Sequence, residues 1–455
     1  MLDSLEFRTE MLLGKEIKIY FEDGSSCLAD NPEDLIATEP YAVRYEVVNT
    51  NHGDNVLRIA IIDADLVGRD RHRFPNLASE KISAYWKEQG ANVELKLNYD
   101  NLDEYDQVFI SKVFTDTPFP DDVFESEKIH LGGTGFFFDK APNLPDEIEH
   151  HMPDYHLYDG WINREMARFE AECKKRGKEF RRSYYLGQFK EYLEYSIGFL
   201  TRGCFRKCPF CVNQKYERVF PHSPLEEFFD PTRSKICLLD DNFYGCGKWK
   251  EMQQELLDTK RSFKFKQGLD ERLLTEEKCE KLFSGVYDGD YTFAFDNIAD
   301  YELIRSKLQM IRRHTRSNNI RFYVLVGFER TDAIDIENAF KRIALLIRYR
   351  CLPYIMRYQG KDEVPWKESK YKTLYVSLAR WCNQPSFFKK MSFRTFCERN
   401  QDFHRNPSTI CSTLRAMRGF EEEHPEIAQK YFDLCYDQID MDDVINGKEE
   451  LDVIL

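Results

Sequence analysis

Cys204-Phe205-Arg206-Lys207-Cys208-Pro209-Phe210-Cys211 sets three cysteines at a C-x3-C-x2-C spacing. The apolar run Tyr195-Ser196-Ile197-Gly198-Phe199-Leu200 precedes it, and Gly203 lets the chain turn between them. The pattern predicts a strand ending in a loop that carries three thiols. Three thiolates hold three irons of a four-iron, four-sulfur cluster and leave the fourth iron open to a further ligand. A structural zinc site asks for four ligands, usually as two separated C-x2-C pairs. Here the next cysteine is Cys237, and His222 has no second histidine at H-x3-H spacing. Bystander cysteines have no reason to share one short loop. The open-site cluster is the favoured reading.

Outward from this loop the sequence repeats a simple alternation. Strand-like runs recur at 235–239, 263–266, 291–295, 320–326 and 352–356, and helical runs separate them at 248–260, 275–283, 300–314 and 335–349. With the strand at 195–200 they make six βα units within about 191–362. The runs end in polar or glycine residues: Asp240-Asp241-Asn242, Gln267-Gly268-Leu269-Asp270-Glu271-Arg272, Asp296-Asn297, Gly327-Phe328-Glu329 and Arg357-Tyr358. In α/β barrels ligands bind at the carboxyl ends of the strands. A partial (β/α)6 barrel would gather these residues around the cysteines. Asp and Asn at such places also serve as helix N-caps, and for Asp240 and Asp296 capping and ligand binding weigh equally. For Asp241, Gln267, Asp270 and Arg272 the clustering of polar groups around one site favours binding.

The cysteine spacing, the aromatic Phe210 just before the last cysteine and the following βα repeat resemble the signature of the radical S-adenosylmethionine (SAM) enzymes. The resemblance implies that Cys204, Cys208 and Cys211 hold a [4Fe-4S] cluster whose open iron chelates the amino and carboxylate groups of SAM. It implies reductive cleavage of SAM to methionine and a deoxyadenosyl radical, which abstracts a hydrogen atom from a substrate. It also implies an electron donor of the flavodoxin or ferredoxin type. In the family the second strand often ends in Gly-Gly-Glu against the amino end of SAM; here Asp241 and Asn242 stand in that place. The fifth strand often carries G-x-I-x-G-x-x-E against adenine. Gly327 matches the second glycine and Leu325 the apolar position, whereas Tyr323 replaces the first glycine and the acid, Glu329, comes one place early. Asp296 is a candidate partner for the ribose hydroxyls.

Ahead of the repeat, Leu57-Arg58-Ile59-Ala60-Ile61-Ile62-Asp63 is a near-continuous apolar run, as for a strand buried on both faces. A helix at 77–89 and strands at 93–97, 107–111 and 128–131 follow. The alternation predicts a small doubly wound α/β (flavodoxin-like) domain over 57–152. Gly132-Gly133-Thr134-Gly135 misses the dinucleotide fingerprint, and a tight turn is the favoured reading. Such a module ahead of six βα units resembles the cobalamin-binding architecture of one radical SAM subgroup. Some of its members carry D-x-H-x-x-G after the first strand. In Asp70-Arg71-His72-Arg73-Phe74-Pro75 the histidine has the right spacing and Pro75 replaces the glycine. Cobalamin is therefore a candidate cofactor, with a solvated His72 as the favoured alternative. Methylthiotransferases, a related resemblance, carry a second three-cysteine site in the N-terminal domain; no cysteine lies between Cys27 and Cys173, which discounts that activity.

The remaining segments say less about chemistry. Residues 1–56 read as a small β-rich extension with strands at 16–21 and 41–48. Residues 153–190 read as a linker with a charged, solvent-facing helix at 164–178. His150 and His151 suggest a surface pair in place of a metal site. Over 363–455 the signal is helical, at 374–381, 393–399, 408–417 and 427–437. Between Arg380 and Arg418 basic and aromatic residues interleave, as in surfaces that bind nucleic acid; an amphipathic helical cap is the favoured alternative. Cys382, Cys397 and Cys411 raise an auxiliary cluster at loose spacing.

Composition sets the outer bounds. The 455-residue chain is 42% hydrophobic and 32% charged, with net charge −14, which argues against a broad anion-binding surface for nucleic acid or membrane. No run of 18 apolar residues predicts a membrane span, and Met1-Leu2-Asp3-Ser4-Leu5-Glu6 lacks the features of a secretion signal. Thirteen scattered cysteines read as reduced, cytoplasmic thiols. The leading expectation is a radical SAM enzyme. The competing ones are its cobalamin-dependent methylating form, a nucleic-acid base-modifying form, and a non-catalytic protein that keeps a cluster for structure.

Overall fold

The computed structural model describes residues 16–21, 26–29, 42–48, 56–70, 72–120, 126–213, 215–360, 363–406 and 408–445. The chain divides into two compact units, Met1–Leu193 and Glu194–Leu455. The first opens with an antiparallel sheet in the order β2-β1-β3, from β1 (Glu16–Phe21), β2 (Ser26–Ala29) and β3 (Ala42–Val48). Four parallel strands follow: β4 (Arg58–Asp63), β5 (Asn92–Leu95), β6 (Gln107–Ser111) and β7 (Ile129–Gly132). Their order is β5-β4-β6-β7, so the first strand of the set lies between the second and third.

β4 is buried on both faces, as its unbroken apolar run requires. Ile59 and Ile61 pack on one side with Ile82 and Trp86 of the helix Leu77–Glu88, which Asn76 caps. Ala60 and Ile62 pack on the other with Tyr105, Val108 and Ile110. That second face is covered by a short 3-10 turn and by Phe119 and Phe136, not by a long helix. The reason is local: the segments between β5, β6 and β7 hold no amphipathic run long enough for one. The stretch read as a linker joins the first core instead. The helix Asp159–Lys175 buries Trp161, Ile162 and Met166, and Phe189 and Tyr192 pack beside them. Its charged residues occupy only the opposite stripe. Gly133, at φ +97°, packs so close to the Lys112 carbonyl that a Cβ there would collide with it, which accounts for the glycine run without a ligand.

In the second unit β8 (Tyr195–Gly198) leads to a two-residue antiparallel pair, β9 (Thr201–Arg202) with β10 (Phe220–Pro221). That pair ties the neck of the cysteine loop. Five parallel strands follow: β11 (Lys235–Leu238), β12 (Ser262–Phe265), β13 (Tyr291–Ala294), β14 (Ile320–Val326) and β15 (Leu352–Arg357). They form two three-stranded parallel sheets, β8-β11-β12 and β13-β14-β15. Helices Trp249–Asp258, Glu276–Ser284, Tyr301–His314 and Ala333–Arg348 fill the later crossovers. Thr275 and Asp332 start two of them as N-caps.

β12 and β13 meet without a regular ladder. Along this seam the Tyr287 hydroxyl accepts from Phe265 N at 3.0 Å and Glu271 Oε2 accepts from Ala294 N at 3.0 Å. Leu269 N donates to Thr292 O at 2.9 Å. The outer margin of β15 is sealed by Asn383, whose carboxamide pairs with Ile355 N and O at 2.7 and 3.1 Å. An unpaired strand edge is otherwise a template for association.

β14 alternates buried and half-buried residues along its length. Phe322, Val324 and Val326 face the helices, and one hydrophobic cluster continues from them into the helices Lys372–Cys382, Phe393–Asp402 and Ser412–Glu423. Among the described residues no helix is long and apolar enough to cross a membrane.

Candidate active site

The three cysteines lie on the loop that the β9–β10 pair closes, half-buried, and no described cysteine is in a disulfide. Gly203 takes φ +88° at the start of the loop, where a Cβ would collide with the Arg218 carbonyl. Hydrogen-bond donors converge on the sulfurs. Arg206 N donates to Cys204 Sγ at 3.3 Å, Asn242 Nδ2 to the same atom at 3.4 Å, and Asn213 N to Cys211 Sγ at 3.4 Å. Burial pushes the Cys208 and Cys211 thiols up, while the charge of Arg272 pulls Cys208 the other way. Among the described residues no three His, Cys, Asp or Glu side chains are already grouped as the ligands of a metal ion. The donor set nonetheless suits an iron–sulfur cluster: three thiols on one loop, with N–H groups aimed at the sulfurs.

The end of β11 is bound directly to this loop. Asp240, fully buried, accepts from Leu200 N at 3.2 Å and from Thr201 N and Oγ1 at 2.7 and 2.6 Å. Burial pushes its carboxyl up to about 7 against those hydrogen bonds. It caps no helix; it latches the end of β11 to the exit of β8. Asp241 accepts from Gly203 N at 3.0 Å. Asn242 is 2% exposed, and its Oδ1 has no hydrogen-bond partner. A buried acceptor without a donor is costly, so this oxygen marks where a ligand's N–H or O–H belongs.

Beyond β12, Gln267 is exposed. Asp270 accepts from Arg206 Nε at 2.9 Å and from Arg272 Nε at 2.6 Å. Burial works against it, yet the hydrogen bonds and charges of the two arginines hold the Asp270 carboxyl below the usual carboxylate range. Asp296, after β13, accepts from Leu325 N at 3.3 Å, and burial pushes its carboxyl up to about 6. Asn297, not Asp296, caps the turn that follows. The buried Arg342 holds this corner, donating to the carbonyls of Phe295, Asp296 and Leu325 at 2.8 to 3.0 Å.

After β14, Gly327 N donates to Asp335 Oδ2 at 2.8 Å, and Glu329 is exposed. Phe210 of the cysteine loop meets Phe328 edge-on at 5.5 Å between ring centroids, and Phe328 meets Tyr358 at 4.8 Å. The loops after β8, β14 and β15 are thereby joined by a run of aromatic rings. The structure thus brings Asp241, Asn242, Asp270, Arg272 and Phe210 onto or against the cysteine loop. Sequence reasoning missed Arg206, whose only advance signal was its place between two cysteines, and it missed Asp240 as a latch.

Two other expectations meet the structure elsewhere. Trp381, Phe388, Phe393 and Phe396 are buried, and Arg394 pairs with Glu421 and Asp433 at 2.8 and 2.9 Å, as in a packed helical cap. Cys382, Cys397 and Cys411 are buried in the same core, and the Cys411 side chain caps a helix. In the first unit a crevice of about 530 Å³ opens beyond the carboxyl ends of β4 and β6, lined by Arg69, His72, Arg73, Phe114 and Asp116 among others. It lies where the strand order reverses between β4 and β6, the place at which open parallel sheets generally take ligands. His72 Nε2 lies 2.6 Å from Phe74 O.

No protein-family model matches the chain, and no curated relative does. Among solved structures, the cobalamin-dependent S-adenosylmethionine radical enzyme OxsB with aqua-cobalamin and S-adenosylmethionine bound matches at 12% identity and a TM-score of 0.41, over 85% of this chain. OxsB with aqua-cobalamin bound matches at 11% identity and the same TM-score, over 91% of this chain. The chain spans 64% of the length of the first and 68% of the second. A likeness this shallow leaves function to be read from the residues of this chain.

Proposed function

We propose that the chain is a radical SAM enzyme with a partial (β/α)6 barrel. Cys204, Cys208 and Cys211 hold a [4Fe-4S] cluster, and SAM is cleaved reductively to begin radical chemistry on a substrate. One observation carries the reading: three cysteines at this spacing follow the first of six parallel strands, and the ends of the next two hydrogen-bond onto their loop. When bound, the cluster supplies the electron that splits SAM into methionine and a deoxyadenosyl radical.

The chain's own residues then have defined tasks. Asn242 orients the site with both ends of its carboxamide. Its Nδ2 donates to Cys204 Sγ, and its unpartnered Oδ1 would accept an N–H of the amino group of SAM. Asp241 fixes the turn at Gly203. Phe210, Phe328 and the backbone at Gly327 form an apolar wall for the adenine, and Asp296 receives the ribose hydroxyls. Gln267, exposed beyond β12, is free to meet a ligand at that strand end. A one-electron donor of the flavodoxin or ferredoxin type is the reductant.

Anaerobic reconstitution with iron and sulfide should give a cluster, and SAM with a reductant should then give deoxyadenosine. Replacing the three cysteines by alanine should abolish both. A wild-type protein that takes up no cluster, or takes one up and makes no deoxyadenosine, overturns the reading. A cobalamin-dependent form is a second reading, and the crevice at the ends of β4 and β6 favours it. A hydrogen bond from Nε2–H to the Phe74 carbonyl leaves Nδ1 of His72 with the lone pair. Titration with hydroxocobalamin should perturb its visible spectrum, and His72→Ala should weaken the effect; an unchanged spectrum removes this form.

A further inference from the structure

We infer that Asp270 and Arg206 form a clamp that holds the cysteine loop in shape before a cluster is bound and sets the charge beside it afterwards. Arg206 stands between Cys204 and Cys208, and Asp270 lies 64 residues on, past the end of β12. The Asp270 side chain is 7% exposed and that of Arg206 34%, so the pair runs from the interior outward to the loop. Both carboxylate oxygens are committed: one to Arg206 Nε at 2.9 Å, the other to Arg272 Nε at 2.6 Å and Arg272 N at 3.3 Å. Arg272 is steadied in turn by Asp300 at 3.5 Å.

This arrangement argues against Asp270 as a direct cofactor ligand. An acid that accepts from two guanidinium groups in a largely buried setting is a fixed joint, because charge-assisted bonds to arginine are strong and directional. Its place gives it leverage. Lys207 reaches Tyr216 O and Glu217 of the same excursion, at 2.7 and 2.8 Å. Arg206 instead crosses to a different strand end, so the first two cysteines are referenced to the sheet. Asp270 is therefore a positioning residue. With Asp300 counted, two guanidinium groups meet two carboxylates beside the sulfurs, so removing either member of the clamp changes the local charge by one, and the potential of an iron–sulfur centre responds to net charge and to hydrogen bonds around it.

The second half of this inference rests on the proposed function; the first half does not. Hydrogen exchange on the full chain without iron tests the clamp alone. Amides of 202–213 should exchange about tenfold faster in Asp270→Asn, the scale set by losing a charge-assisted hydrogen bond, and Asp270→Glu should restore much of the protection. Unchanged exchange in Asp270→Asn overturns the clamp. If that variant does not fold, Arg206→Gln, on the exposed side of the pair, carries the same test.

In reconstituted protein both variants should bind iron about tenfold more weakly, as outer-sphere changes at metal sites do. The cluster's midpoint potential should move in opposite directions, upward in Asp270→Asn and downward in Arg206→Gln. Shifts of the same sign, or none, overturn the electrostatic role while leaving the exchange result standing. A wild-type protein that forms no cluster defeats the proposed function, and the exchange data still decide the clamp.

Discussion

Gly203 and Asn242 show how much a single position carries here. At φ +88° and against the Arg218 carbonyl, Gly203 admits no side chain without a shift of the loop. Gly203→Ala should cost about 1–3 kcal/mol, measured as a lower urea midpoint at unchanged slope. Asn242→Ala should behave differently. It removes a buried oxygen that has no partner, so the fold should lose little. The same change removes the donor to Cys204 Sγ and the proposed acceptor for SAM, so equilibrium dialysis should find SAM bound about tenfold more weakly, the loss of a hydrogen bond to a charged group. The grouping of the three cysteines on one loop was legible because they fall within a run of eight residues, so it needs no long-range contact. The Arg206–Asp270 pair was not, since no local pattern encodes a contact across 64 residues.

Among the elements, strands and helices of the second unit followed their sequence signals closely. Apolar runs gave the strands, and the helices fall in the segments between them, the last starting two residues earlier than the run 335–349 predicted because Asp332 caps it. What the pattern does not reveal is that β12 and β13 lack a regular ladder, and that Tyr287 and Glu271 accept from Phe265 N and Ala294 N beside the few backbone bonds between them. Side-chain surrogates for a ladder leave no periodic trace. Tyr287→Phe should therefore be costly although it keeps the ring, because Phe265 N–H loses its acceptor: about 1–3 kcal/mol, read from urea denaturation. The linker reading of 153–190 went astray for a related reason. Charge dominates that stretch in composition, while the four buried residues on one stripe of the helix Asp159–Lys175 decide where it packs.

For the molecule as a whole, buried carboxyls shape the response to pH. Burial pushes Asp63 and Asp240 up to about 7 and Glu271 up to about 8. In the unfolded chain these groups titrate at their ordinary 3.8 and 4.5. Between those limits the folded chain holds protons that the unfolded chain has lost. The stability they contribute is full in acid below the unfolded values and is lost as pH rises through the folded ones. The slope is at most about 1.4 kcal/mol per pH unit for each group. Urea midpoints should therefore fall between about pH 5 and pH 8, and Asp240→Asn with Glu271→Gln should flatten the decline. Asp270, held low by its arginines, contributes in the opposite sense, but only in acid below this window.

The seam between β12 and β13 has one more consequence. Two three-stranded sheets with backbone ladders of their own meet along a line held by a few backbone hydrogen bonds and by side chains between them. The way the sheets meet is therefore partly set by residues that mutation can exchange singly, without rewriting the ladder within either sheet. Such a line gives selection, or a protein engineer, a place to adjust how the two sheets meet by small steps. The cysteine loop, the Asp240 latch and the helical cap would each keep their own anchors while it changed.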